Sequence, residues 1–230
     1  MGNIELDYRR YISRLPAPSV RAENVKAMKA TVDRFLAARA GRRKLATTAL
    51  VCAAAALLFP LPGACQLGQS RSPEYDVKAA YLFNFGKFMR VSGTPPPAST
   101  FDLCILGRDP MGTAIDEIAA NETIDDRPVR VVRIEDASRG RSCRILFIAS
   151  SEDAQLREDL AVLAGSDVLT VSDAPDFLDR GGMIQFIVQQ HRVRFEVNLD
   201  AVNRTHLVLS SELLRVAWYV KGRSSPQVQP

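Results

Sequence analysis

Phe101-Asp102-Leu103-Cys104-Ile105-Leu106 decides the fold class, because this short apolar run begins a regular alternation of predicted strands and helices. Strands are predicted at residues 101–106, 129–134, 144–149 and 168–171, with helices at residues 111–120 and 151–164. Such alternation is typical of an α/β fold with a largely parallel sheet. The sequence therefore predicts a mixed, mostly parallel sheet that has helices on both faces.

Further elements flank this alternation. They are a helix at residues 74–89, a pair of strands at residues 184–188 and 193–199, and a closing helix at residues 210–220 that contains Trp218. The four residues 189–192 connect the two strands, a length typical of a β-hairpin. We expect a single domain over residues 73–221 that includes this C-terminal β-hairpin, followed by a disordered tail over residues 222–230.

Charge is distributed unevenly along the chain. The whole sequence has 30 Lys+Arg and 26 Asp+Glu residues, a net charge of +4, and a pI near 9.0. Residues 1–44 account for a net +7, whereas the remaining 186 residues carry a net −3. A basic protein is a candidate for nucleic-acid binding. Because the basic charge lies in the leader, nucleic acid is the partner least expected for the body of the protein.

The leader has the pattern of an export signal. After its basic start, residues 45–59 contain no charged side chain and are followed by small residues, as in a secretory signal peptide. This run is shorter than the roughly 20 residues that span a bilayer. We therefore expect residues 1–64 to be a leader with a signal peptide and the protein to be periplasmic. Two points stay open: a start at Met28 would give a more usual leader, and Cys65 could carry a lipid anchor.

The domain expected over residues 73–221 contains two cysteines, Cys104 and Cys143. An even pair in an oxidising compartment favours a disulfide over two free thiols. The pair lacks a metal-ligand spacing, and His191 and His206 are interpreted as surface residues, so no metal site is expected. The sequence also lacks the motifs of nucleophilic catalysis and of phosphate or dinucleotide loops. It therefore predicts neither an enzyme nor a cofactor, and no catalytic residue.

One segment remains unusual, the run Gly181-Gly182-Met183-Ile184 before the hairpin. Two glycines permit positive φ angles or the close approach of another chain. The second hairpin strand alternates with period two, which places Arg194, Glu196 and Asn198 on one face. Two interpretations stay open. The segment is either a half-solvated hairpin with a plain turn, or a polar recognition strip beside a glycine loop that binds a protein.

Seven blocks of the sequence, in order, resemble the YfiR family. They are residues 78–88, 101–107, 143–148, 168–173, 181–184, 194–199 and 210–214. Together they cover nearly all of residues 74–221. The resemblance implies a periplasmic α/β protein without catalytic activity that binds and represses the sensor domain of an inner-membrane diguanylate cyclase. Such a protein lowers cyclic di-GMP signalling and so disfavours biofilm formation.

The resemblance also implies roles for individual residues. Cys104 and Cys143 correspond to the structural disulfide of the family. Relatives can have a second disulfide around the glycine pair, where this chain has Leu178 and Gln185, so redox control of that loop does not carry over. By position, the expected partner-binding residues are Gly181, Gly182, Met183, Ile184, Arg194, Glu196 and Asn198.

Two other classes of function stay open. A periplasmic small-ligand-binding protein would hold a solute in the crevice at the ends of the parallel strands, and a deep pocket lined by arginine and aromatic side chains would favour it. A hydrolase with an unrecognised site is the third class. A homodimer is an open alternative for the oligomeric state.

Overall fold

A computed structural model describes residues 72–93 and 98–222. The structure does not describe the predicted leader, Cys65, residues 94–97 or nearly all of the predicted tail. Within the described ranges there are ten strands: β1 (Met89–Val91), β2 (Phe101–Leu106), β3 (Thr123–Ile124), β4 (Arg127–Ile134), β5 (Ile145–Ile148), β6 (Leu169–Ser172), β7 (Ile184–Gln189), β8 (Arg192–Asn198), β9 (Leu207–Leu209) and β10 (Tyr219–Lys221). The same described residues contain five α-helices: α1 (Pro73–Lys87), α2 (Thr113–Ala119), α3 (Leu156–Leu163), α4 (Leu199–Val202) and α5 (Ser211–Val216).

Eight of these strands form one sheet in the order β10-β8-β7-β6-β5-β2-β4-β3. Neighbouring strands are parallel except in the β7–β8 and β3–β4 pairs, which are antiparallel. The short strands β1 and β9 form a separate antiparallel pair. The predicted mixed, mostly parallel sheet and its β7–β8 hairpin are therefore confirmed.

The central strands are buried on both faces, as parallel strands covered by helices must be. Alternate side chains of β2 enter different cores: Leu103 and Ile105 pack with α1 and α2, whereas Cys104 and Leu106 pack with α3. Helices thus cover both faces of the sheet, as the sequence predicts.

Helix α1 begins as its sequence predicts. Ser72 caps it by accepting a hydrogen bond from the Glu74 backbone N–H at 3.4 Å, and Pro73 occupies the first turn. The helix is buried along most of its length, and the Phe85 ring lies 5.7 Å from the Phe186 ring and 5.0 Å from the Phe195 ring. Phe85 of α1 therefore packs in the core against the β7–β8 hairpin.

The expected disulfide is present between Cys104 of β2 and Cys143, which precedes β5. The two residues are 39 positions apart in sequence, their Cα atoms are 6.1 Å apart, and both are buried. The bond links two neighbouring strands and closes the loop that contains α2, β3 and β4.

Two predictions for the C-terminal part are wrong. The hairpin connection has two residues and not four, Gln190 and His191, with φ angles of 51° and 58°. Such a turn matches the twist of the strands, so the ladder continues to Gln189 and Arg192. The predicted closing helix ends at Val216, and Tyr219–Lys221 forms β10 beside β8.

Smaller differences concern the ends of elements. The predicted helix at residues 151–164 is a 3-10 turn (Ser150–Glu152) followed by α3, and the one at residues 111–120 is the shorter α2. A second 3-10 segment, Ala137–Ser142, precedes Cys143. The sequence analysis does not predict β1, β3, β9 or α4, each of which has four residues or fewer.

Candidate partner-binding surface

The strands β7, β8 and β10 bring two of the predicted residues to one face of the sheet. Glu196 lies opposite Gln185 on β7 and beside Tyr219 on β10, and Arg194 lies opposite Ile187. Residues directly paired across strands share a face. We call the surface formed by Ile187, Arg194, Glu196, Trp218 and Tyr219 the edge patch.

Aromatic side chains are the most exposed part of the edge patch. Trp218 and Tyr219 each expose 54% of their surface. The guanidinium carbon of Arg194 lies 5.7 Å from the centre of the Trp218 ring, within cation–π range. Tryptophan, tyrosine and arginine are the residue types that contribute most to binding at protein interfaces. The arrangement therefore suits contact with another protein.

Glu196 contributes a negative charge that no described residue neutralises. Its carboxylate makes neither a hydrogen bond nor an ion pair with any described residue. Burial of the side chain, and secondarily the negative charge of Asp179, raises the pKa of Glu196 above its usual value. A cation supplied by a binding partner would stabilise the ionised carboxylate against both its burial and its repulsion by Asp179.

Different structural features explain why glycine occurs at positions 181 and 182 before the hairpin. Gly181 has a φ of +104° and open space around the position of a Cβ atom. A Cβ atom on Gly182 would lie 2.1 Å from the ring of Phe177, which is fully buried. The close approach at Gly182 is therefore to a ring of the same chain and does not require another protein.

Four of the predicted partner residues lie beneath the surface, and Gly182 is one of them. Met183, Ile184 and Asn198 expose 7%, 0% and 4% of their surface. The Asn198 amide donates to the Leu178 carbonyl at 2.9 Å, and its oxygen accepts from the Ala201 N–H at 3.1 Å, which caps α4. Direct contact with a partner is therefore expected of Gly181, Arg194 and Glu196, because these three are at least partly exposed.

Leu178 and Gln185 are neighbours, although neither is a cysteine. The Leu178 N–H donates to the Gln185 side-chain oxygen at 3.3 Å. We call residues 178–183, which precede β7, the glycine loop. Its residue Asp179 accepts a hydrogen bond from the Lys221 ammonium at 2.7 Å, which links the glycine loop to β10. A hydrogen bond and an ion pair hold this loop, which is consistent with the absence of a second disulfide here.

Trp218 and Tyr219 are not predicted as surface residues of a strand. The predicted closing helix at residues 210–220 includes both, because Leu213, Leu214 and Ala217 continue a helical spacing. The signal that could have identified β10 is the run of three consecutive β-forming residues, Trp218-Tyr219-Val220.

The part of the strand-end crevice at the end of β2 is occupied by the protein's own side chains. The Arg108 N–H donates to the Ser151 hydroxyl at 2.9 Å, and that hydroxyl donates to the Glu152 carboxylate, also at 2.9 Å. Both side chains lie over Gly107, at the end of β2. A solute in this crevice, as the ligand-binding alternative expected, would have to displace them.

His191 and His206 are exposed, and the His206 ring lies 3.1 Å from the Asp167 carboxylate. Within residues 72–93 and 98–222, no group of three or more His, Cys, Asp or Glu side chains is placed to hold a metal ion. None of the helices in this part of the chain is long and apolar enough to cross a membrane.

The fold and the edge patch define a class of protein, a disulfide-linked α/β domain whose distinctive surface is suited to contact with another protein. A family model described as YfiR/HmsC-like matches residues 75–218, and the chain belongs to that family. The family is regulatory.

A solved structure shows limited similarity to the chain. It is described as a conserved domain protein from Vibrio cholerae O1 biovar El Tor strain N16961, and it is 7% identical with a TM-score of 0.40. The similarity covers 53% of this chain and 55% of that one, so it spans about half the length of each.

Proposed function

We propose that this protein is an exported, non-enzymatic regulator that binds and represses the periplasmic sensor domain of an inner-membrane diguanylate cyclase. Repression lowers cyclic di-GMP signalling. Family membership supports the regulatory role, and the edge patch supports recognition of a protein. A homodimer stays a prediction, which a measurement of molar mass in solution tests.

The observation that carries this proposal is the pairing of Trp218 with Arg194 beside the unpaired carboxylate of Glu196. An exposed tryptophan held by a guanidinium is ordered before binding, which lowers the entropy lost at an interface. Burial of the tryptophan ring in an interface would contribute binding free energy in proportion to the apolar area that it removes from water.

Charge sets the expected orientation of the partner. A cationic side chain of the sensor domain is expected opposite Glu196, because an uncompensated carboxylate in an interface is costly. Repression then follows from preferential binding to one conformation of the sensor domain, since a ligand shifts an equilibrium by its differential affinity for the two states.

A pull-down from native membranes tests the proposal. Wild-type protein is expected to recover a membrane diguanylate cyclase, whereas Trp218→Ala and Glu196→Lys recover at least tenfold less. Glu135→Lys is the matched control, because Glu135 is exposed and lies outside the edge patch. Recovery of no cyclase by the wild type, or equal loss with Glu135→Lys, would show that the proposal is wrong.

A further inference from the structure

The glycine loop also lines a cleft that is separate from the edge patch. The cleft has a volume of about 480 Å³ and lies between α3, β6, the glycine loop and the segment after α4. Its floor includes Leu160, Val168 and Met183. Sites for small molecules have volumes of roughly 300–1,000 Å³ and mostly apolar walls. The size and lining of the cleft thus match those of a small-molecule site.

Three arginines line this cleft, and none of its lining residues is acidic. They are Arg157 of α3, Arg180 of the glycine loop and Arg204, which follows α4. Arg180 is held in place by two hydrogen bonds to Asp153, one to its carboxylate and one to its backbone carbonyl. Arg157 and Arg204 are exposed and form no ion pair with any described residue.

This concentration of positive charge contrasts with the rest of the body of the protein. Residues 45–230 carry a net charge of −3. A cleft with walls of one charge sign raises the local concentration of oppositely charged ligands. Guanidinium groups also bind carboxylate and phosphate through paired hydrogen bonds, and the two arginines without ion pairs are available for this.

We propose that the cleft binds a small amphipathic organic anion. Its carboxylate or phosphate head contacts Arg157 and Arg204, and its hydrocarbon part covers the apolar floor at Leu160, Val168 and Met183. The head group defines specificity through charge, and the floor contributes affinity through the apolar area that it removes from water.

The position of the cleft suggests a consequence for regulation. Arg180 and Gly181 line the cleft, and the adjacent Asp179 forms the ion pair with Lys221 of β10. An anion in the cleft therefore acts on the same loop that is joined to the edge patch. This consequence for the cyclase rests on the proposed function, whereas binding of the anion does not.

Fluorescence titration of the purified, disulfide-linked protein tests the proposal. The probe is 1-anilinonaphthalene-8-sulfonate, an amphipathic anion that becomes fluorescent when it leaves water. We expect saturable binding that octanoate displaces and octylammonium does not. The double variant Arg157→Gln/Arg204→Gln is expected to bind the probe at least tenfold more weakly. Ala161→Phe narrows the cleft without a change of charge, and it is also expected to weaken binding of the probe.

A matched control separates the cleft from general charge effects. Arg108→Gln/Arg139→Gln removes the same charge from exposed positions outside the cleft and should leave the affinity within twofold. Equal loss in both double variants, displacement by octylammonium, or absence of saturable binding would overturn the proposal. Because only this protein is assayed, these results do not depend on whether a cyclase is its partner.

One further arm identifies the source of the anion. Co-sedimentation with phosphatidylglycerol vesicles that is lost in Arg157→Gln/Arg204→Gln supports a membrane lipid. Displacement of the probe by octanoate without co-sedimentation supports a free solute.

Discussion

The ammonium group of Lys78 lies 2.7 Å from the carboxylate of Asp173 in the interior of the protein. The two side chains expose only 4% and 6% of their surface, and they join α1 to the residue that follows β6. Tyr75 donates to the same carboxylate oxygen at 2.9 Å, whereas the second oxygen has no hydrogen-bond partner. The carboxylate of Asp173 therefore depends on Lys78 for compensation of its buried charge.

Lys78→Met is expected to lower the free energy of unfolding by about 3 kcal/mol, because it leaves a buried carboxylate without its cation. Urea unfolding measures this change. The double variant Lys78→Met/Asp173→Asn is expected to recover most of the loss. The exposed Lys87 is the control, and Lys87→Met should cost less than about 1 kcal/mol. Equal costs at both lysines would contradict the assigned role of the buried pair.

Gly182→Ala is expected to lower the free energy of unfolding by about 1–3 kcal/mol, because the new methyl group overlaps the ring of Phe177. Phe177→Leu should relieve the overlap, so the two substitutions together cost less than the sum of their separate effects. Gly165→Ala serves as the comparison, since open space surrounds Gly165. Its effect should simply add to that of Phe177→Leu in urea unfolding experiments.

Glu196→Gln is expected to stabilise the isolated protein at neutral pH. The raised pKa of Glu196 means that the folded state binds a proton more tightly than the unfolded state, so this contribution is present below about pH 4.5 and is lost as pH rises. The urea midpoint of Glu196→Gln should thus exceed that of the wild type at pH 7, with no difference near pH 4. The gap at pH 7 should narrow in an Asp179→Asn background, and an unchanged gap would exclude the contribution of Asp179.

Removal of the disulfide is expected to destabilise the protein by an amount on the order of 4 kcal/mol, because the bond closes a loop of about 40 residues in the unfolded chain. Cys104→Ala/Cys143→Ala, compared with wild type in urea, measures the loss. Alkylation of the unfolded protein without reductant provides an independent check. Two labelled cysteines at these positions would show that the bond does not form.

The central strands can be predicted from sequence because each is a short apolar run with its own local signal. Ile145–Ile148 is buried at all four positions, so burial and sequence agree residue by residue. The disulfide is predictable for a similar reason, since residues 73–221 contain only two cysteines. These features depend on composition and short-range pattern alone.

The candidate site is only partly predictable, because its geometry depends on contacts between distant segments. The alternation of β8 correctly places Arg194 and Glu196 on one face. It fails at Asn198, because the chain turns into α4 there and the glycine loop covers the side chain. Trp218 becomes exposed because α5 ends early and the chain pairs with β8, and the Trp218 N–H donates to the Phe195 carbonyl. No local pattern specifies that pairing.

The outermost strands of the described sheet bear on how the protein behaves at high concentration. β3 pairs only with Arg127 and Pro128 of β4, and β10 pairs only with residues 196–198 of β8, so the outer sides of residues 129–134 and 192–194 lie beyond these short strands. Long, flat edges are the templates on which sheets of separate molecules join and fibrils grow, and charged side chains along an edge oppose that pairing. Arginines occupy both of these longer edges, Arg130 and Arg133 on β4 and Arg192 and Arg194 on β8.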